Sequence, residues 1–251
     1  LTYTQDWPEK ASFSFSVNDG KDDSGSATMS VSVDSALALV SKTTSGGFGV
    51  LKSEDPDVSA DGRYVVFSST SANLAPNDGN VSADVYMRDM QLGVTSLISV
   101  GPQNALGDDA SGKPAISADG KTIVFSSMAT NLVAGDTNQQ RDIFVYDTSS
   151  KTSHLVSQSG NVASNGGSDN PAVSGDGKLV AFVSVASNLV SANVNPNGEI
   201  FVKNLTSGTI DRASVAIGGD AANGVSNNPS LSADGAVVAF ESSASNLVSG
   251  D

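Results

Sequence analysis

The stretch "PAISADGKTIVFSS" at residues 114–127 decides the fold, because it occurs four times. "PDVSADGRYVVFSS" (56–69), "PAVSGDGKLVAFVS" (171–184) and "PSLSADGAVVAFES" (229–242) repeat it. The Asp-Gly pairs fall at 61–62, 119–120, 176–177 and 234–235, which gives a period of 57–58 residues. Self-similarity at a fixed period of this size marks a repeat architecture. Asp-Gly between two apolar runs is the strongest short hairpin signal, and the Pro is read as opening the first strand, where its missing N–H costs least.

Further along each unit stand Asn-Leu (Asn73, Asn131, Asn188, Asn246), then "DVYMRD" (84–89), "DIFVYD" (142–147) or "EIFVKN" (199–204), then "TSLIS", "TSHLVS" or "TIDRAS". The unit therefore reads as four short strands in two hairpins. "TIVF" and "IFVY" are apolar at consecutive positions, so both faces of those strands must be covered. The last strand alternates instead. Ile98, Val156 and Ala213 form an inward set, and Ser96, His154 and Asp211 a wet one. A sheet buried on both faces except at its outermost strand is a propeller blade. A β-sandwich is the runner-up, although it does not require a strict four-strand repeat.

Pro, three residues, Asp-Gly, a strand ending in Phe and a strand rich in Ile, Phe, Tyr and Val together resemble the TolB-type β-propeller repeat. The resemblance covers residues 36–251 and implies a fold more than a function, since such propellers serve as docking platforms, lyases and accessory domains. The expected layout is an outer strand at 36–41, blades at 56–99, 114–157 and 171–214, and a partial blade at 229–251. Six to eight blades are expected in the whole ring, so the chain reads as part of a longer protein. Residues 1–35 differ. Phe13, Phe15 and Val17, then Ala27, Met29, Val31 and Val33, alternate with small polar residues around "NDGKDDSG" (18–25). This resembles the closing hairpin of a cadherin-like or immunoglobulin-like module of bacterial surface proteins.

Composition narrows the chemistry. Among 251 residues, 13 are basic and 27 acidic, for a net charge of −14. That repels nucleic acid and anionic membranes. Cys is absent, which excludes disulfides, thiol catalysis and thiolate metal sites. No apolar run approaches the ~20 residues of a spanning helix. Gly-x-Ser-x-Gly is absent. His154 is the only His, so the histidine-held metal that the resemblance implies for lyases has no support. Trp7, Tyr86 and Tyr146 read as packing residues.

One loop pattern carries candidate chemistry. Between the second and third strands stand Asp78, Asn80 and Asp84; Asp136, Asn138 and Asp142; and Asn193, Asn195 and Glu199. Oxygen side chains at relative positions 1, 3 and 7 suit a hard cation such as Ca²⁺, which takes six to eight oxygens. The pattern lacks the central Gly and final Glu of an EF-hand, and the third copy has lost its first carboxylate. Asx turns, in which Asp and Asn cap the loop's own N–H groups, are the plainer account of the same residues. The Asp-Gly turns read as hairpin geometry, and the Asn of each Asn-Leu as a backbone-bonding corner with Leu plugging the gap between blades. These loops and the segments holding "SGKP", "SDNP" or "SNNP" are expected on one rim.

The functional expectation is a non-catalytic, secreted or cell-surface bacterial module, or a periplasmic one, that presents this rim to a protein or glycan, with Ca²⁺ as candidate cofactor. The alternatives are an accessory propeller domain of a secreted lyase or hydrolase, and a subunit of a surface filament or layer that self-assembles through the N-terminal module.

Overall fold

Each copy of the repeat forms one antiparallel sheet whose strands lie in chain order. The computed structural model describes residues 11–15, 27–31, 38–76, 78–191 and 194–250. The chain divides into two units, Leu1–Leu39 and Val40–Asp251. In the first, β1 (Ala11–Phe15) pairs with β2 (Ala27–Val31) in a register that sets Phe13 opposite Met29 and Phe15 opposite Ala27. Val17, Val33 and the loop 18–25 lie outside the described residues.

In the second unit, β3 (Ser53–Val58), β4 (Tyr64–Ser69), β5 (Asp84–Asp89) and β6 (Val94–Leu97) form the first blade. The second holds β7 (Ser111–Ile116), β8 (Thr122–Ser127), β9 (Asp142–Asp147) and β10 (Thr152–Leu155). A two-stranded ribbon, β11 (Gln158–Ser159) with β12 (Val162–Ala163), leads to the third blade. There β13 (Ser168–Val173), β14 (Leu179–Ser184), β15 (Glu199–Asn204) and β16 (Ile210–Arg212) repeat the order. Finally β17 (Ser226–Leu231) pairs with β18 (Val238–Ser242). Residues 38–41, expected within an outer strand, carry no strand; a strand needs a ladder partner, and none of the described strands pairs with them.

The blades stack as wedges. Each innermost strand packs on the first and second strands of the preceding blade: β7 on β3 and β4, β13 on β7 and β8, and β17 on β13 and β14. Strand β8 shows why its sequence is apolar throughout. Ile123 and Phe125 join Val66, Val85 and Ile98 in the junction with the first blade. Val124, pointing the other way, joins Val180, Phe182 and Phe201 in the junction with the third. Period-two alternation thus feeds two cores from one strand. At the same place in each blade two rings stack: Phe67 on Tyr86, Phe125 on Phe144 and Phe182 on Phe201, at 5.6, 5.8 and 6.0 Å between centroids. This is a β-propeller architecture, and its outer strands leave His154 and Asp211 exposed as the alternation required, whereas Ser96 and the inward-assigned Ala213 are both half-buried.

The Asp-Gly turns do two jobs. Asp119 Oδ1 accepts from Ser117 Oγ at 2.8 Å and from Lys121 N at 3.0 Å, and Gly120 sits at φ 72°. The turn also abuts the preceding blade, where a Cβ on Gly120 would lie 2.4 Å from Tyr64 Cδ2. Asn-Leu fastens the other side. Asn131 Nδ2 donates to Leu106 O at 2.8 Å while its Oδ1 accepts from Asp108 N at 3.1 Å, and Leu132 is buried. Asn73, Asn188 and Asn246 donate to Phe48 O, Ala163 O and Ala221 O in the same way.

The innermost strands correct one expectation. They begin three residues before Pro, so "SGKP" and its counterparts are strand rather than connecting loop. Each ladder shifts register across the X-Pro pair, between Gly112 and Ala115 for example. The residue before Pro is left-handed: Asp55, Lys113, Asn170 and Asn228 have φ of 50–51°. A bulge on a sheet edge is where a strand tolerates Pro, because no ladder N–H is needed there.

Candidate functional site

The three Asp/Asn loops end on the first residue of β5, β9 and β15, and that residue is fully buried in each: Asp84, Asp142 and Glu199. The middle Asn of each triplet behaves as an Asx turn. Asn80, Asn138 and Asn195 accept through Oδ1 from the N–H two residues on, at 2.8, 2.7 and 3.0 Å. Asn138 Nδ2 also donates to Asp142 Oδ2 at 2.7 Å and to Ser164 O at 2.8 Å, while Asn195 Nδ2 donates to Ala222 O and Gly224 O. The turn thereby ties the loop to the segment that leads into the next blade.

The carboxylates behave differently. In the first blade Ser99 Oγ donates to Asp84 Oδ1 at 2.7 Å and the Tyr86 hydroxyl donates to Asp78 Oδ2. The remaining oxygens, Asp78 Oδ1 and Asp84 Oδ2, are buried without a hydrogen-bond partner. In the second blade Ser157 and Ser164 hydroxyls donate to Asp142 Oδ1. Asp136 is only 6% exposed, and neither of its oxygens has a hydrogen-bond partner. A buried carboxylate oxygen left without a donor costs several kcal/mol at worst and calls for an explanation. Burial, opposed by the Ser99 hydrogen bond and reinforced by the Asp78 charge, pushes Asp84 up to about 6. Burial and then the Asp142 charge push Asp136 to about 6 as well. Asp142 is raised by burial, against its three side-chain donors.

In the third blade Glu199 Oε1 accepts from Ala222 N at 3.3 Å, and Oε2 lies 3.5 Å from the Arg212 guanidinium. Burial raises Glu199 and the Arg212 charge opposes the rise. Asn193, first of this triplet, lies outside the described residues. Among the described residues no three His, Asp or Glu side chains converge on one point. A cation at the first two loops would therefore rest on two carboxylates, with backbone carbonyls and water completing its shell. The orphaned oxygens of Asp78, Asp84 and Asp136 are hard donors of the kind Ca²⁺ takes.

Sequence reasoning missed the serines that hold these acids. Ser99 and Ser157 share one place in the repeat with Ser41 and Ser214, and that recurrence was the available signal, although Ser214 Oγ accepts from Ile200 N rather than holding Glu199. It also missed a second feature. An open depression of about 360 Å³ is lined by Asp55-Pro56, Lys113-Pro114, Asn170-Pro171 and Asn228-Pro229, one pair from each blade, and so marks the axis. Lys113 Nζ donates to Asp169 Oδ2 at 2.9 Å and to Asn170 Oδ1. Asn170 Nδ2 donates to Asn227 Oδ1 and Asn228 Oδ1, and Asn228 Nδ2 to Glu241 Oε2. Hydrogen bonds beside the axis thus join the second blade to the third and the third to the fourth repeat. Among the described residues no helix is long and apolar enough to cross a membrane.

No protein-family model matches the chain, and no curated protein matches it. Solved structures do. TolB from Acinetobacter baumannii is 17% identical over 86% of this chain and 42% of its own, with a TM-score of 0.49. A putative TolB from Agrobacterium tumefaciens is 18% identical over 93% and 70%, with a TM-score of 0.49. The β-propeller domain of the Trilobed protease from Pyrococcus furiosus is 14% identical over 64% and 41%, with a TM-score of 0.42. The chain thus spans less than half the length of the Acinetobacter protein. The blade assignment rests on this chain's own ladders and junctions, which make Val40–Asp251 a segment of β-propeller.

Proposed function

We propose that this chain is a non-catalytic binding module of the bacterial cell surface or extracellular space, offering the rim around its axis to a protein or glycan. The observation that supports this reading is the axial depression. Four X-Pro bulges keep one backbone geometry, each with a left-handed residue of a sort that costs roughly 1–3 kcal/mol. On that fixed frame the copies carry three different polar side chains: Asp55, Lys113, and Asn at 170 and 228. A rigid scaffold carrying a varied set of polar groups is how recognition surfaces are built. The residue pair 1–35 and 36–251 fits a cadherin-like or immunoglobulin-like hairpin joined to a TolB-like propeller, an arrangement suited to a surface protein. Ca²⁺ at Asp78, Asn80 and Asp84 and at Asp136, Asn138 and Asp142 would rigidify the rim, and Asn193, Asn195 and Glu199 form the weaker third candidate.

Glycan and peptide arrays probed with the wild-type chain and with Lys113→Ala/Asn170→Ala test the proposal. A ligand lost on the double substitution, with the melting temperature unchanged, supports it. A ligand whose binding survives that substitution, or arrays with no ligand at all, would overturn the axial assignment.

A further inference from the structure

Comparing the three complete blades at one position exposes a substitution of charge. Leu97 stands opposite Tyr86, Leu155 opposite Phe144, and Arg212 opposite Phe201, so the three share one place in the ladder. The first two are apolar. The third carries a guanidinium into the interior, with its side chain only 6% exposed, 3.5 Å from the fully buried Glu199. It also donates to Gly219 O at 3.0 Å, in the segment that leads to β17. Where the blade has an internal cation, the loop sequence has Asn193 in place of an acid; where Leu replaces it, the loop has a second acid, Asp78 or Asp136. Those two acids keep buried oxygens without donors, and so does Glu199 at Oε2, but only Glu199 has a cation within ion-pair distance.

Charge bookkeeping then runs the same way in all three blades. A pair of carboxylates removed from water must either take up a proton or have positive charge beside it, and at neutral pH the positive charge is the route that keeps both ionised. The third blade meets this need from its own chain, with one acid and one Arg. The first two blades carry two acids each, and no described cation pairs with Asp78, Asp84, Asp136 or Asp142.

Resting on the calcium reading above, we infer that Arg212 is a built-in replacement for a bound divalent cation, so that the first two blades each take one ion and the third takes none. The donors are all oxygens, which selects a hard ion of the Ca²⁺ class over a transition metal. Arg212 is in this sense a specificity-determining residue: its position decides whether a blade depends on an ion from solution.

Native mass spectrometry in calcium, paired with melting curves in calcium and in EDTA, reads the ion count for the full chain. Two ions on the wild type, one on Leu155→Arg and a smaller calcium-dependent melting shift in that variant are expected. Arg212→Leu provides a second arm if Leu155→Arg does not fold: it should melt below wild type in EDTA and regain most of the difference in calcium. No ion on the wild type would overturn the calcium reading itself. Three ions on the wild type, two ions on a folded Leu155→Arg, or an Arg212→Leu deficit that calcium leaves unchanged, would overturn the role of Arg212 while leaving calcium binding in place.

Discussion

Asp136→Asn should stabilise the protein in one solution and destabilise it in another. Burial and then the Asp142 charge push Asp136 up to about 6 in the folded chain, against 3.8 for an ordinary aspartate. A folded pKa above the unfolded one favours the protonated folded state. The contribution is therefore fully present below about pH 4 and is lost as pH rises to about 6. That rise corresponds to about 3 kcal/mol that the ionised form gives up at pH 7 without a cation. Asn is nearly isosteric and carries no charge to desolvate. In EDTA at pH 7 the variant should be more stable by up to about 3 kcal/mol, which for a chain of this size is about 2–4 °C of melting temperature per kcal/mol. Near pH 4 the two proteins should melt together. In millimolar calcium the order should reverse at pH 7, because binding to the folded state adds stability that the variant cannot gain. Thermal melts at two pH values with and without calcium provide the full matrix. A variant that is less stable than wild type by the same amount in every cell of it would refute the claim that Asp136 is a buried, unbalanced charge.

Three further outcomes follow from packing and hydrogen bonding. Gly120→Ala and Gly62→Ala impose the same left-handed penalty of about 1–2 kcal/mol, but only Gly120 would drive a Cβ into Tyr64, so urea denaturation should show a loss of about 2–4 kcal/mol at 120 against 1–2 at 62. Asn131→Ala removes two hydrogen bonds between the rim loop and the entering segment, which should cost about 1–2 kcal/mol and speed amide exchange at Asp108. Phe125→Ala deletes a fully buried ring stacked on Phe144 and should cost about 3–5 kcal/mol by chemical denaturation.

The fold was legible because its determinants are local and repeated. Asp-Gly with its preceding Ser defines a hairpin wherever it occurs, and "TIVF" announces two covered faces without any tertiary information. The strand start at "SGKP" is not legible locally: Pro is tolerated there only because the axis side of the strand has no ladder partner. The acidic loops were visible as a spacing, yet spacing could not separate the roles within a triplet. The middle Asn caps its own turn, whereas the flanking acids are sunk beneath it, a division that depends on Ser99, Ser157 and Ser164 arriving from other segments. Arg212 was invisible as a partner of Glu199, since the two stand 13 positions apart along the hairpin and its counterparts are both Leu.

Because Ile123 and Val124 serve opposite junctions, no repeat owns a hydrophobic interior; each shares one with either neighbour. The natural quantum of folding is therefore the seam rather than the 57-residue period. A chain cut at the repeat boundary would expose two half-seams at once, and neighbouring substitutions one residue apart should weaken different joints. Duplication of such a gene segment succeeds only when the new copy presents a matching wall on both sides, which accounts for how little the Phe-bearing strands have drifted while the rim residues differ from copy to copy.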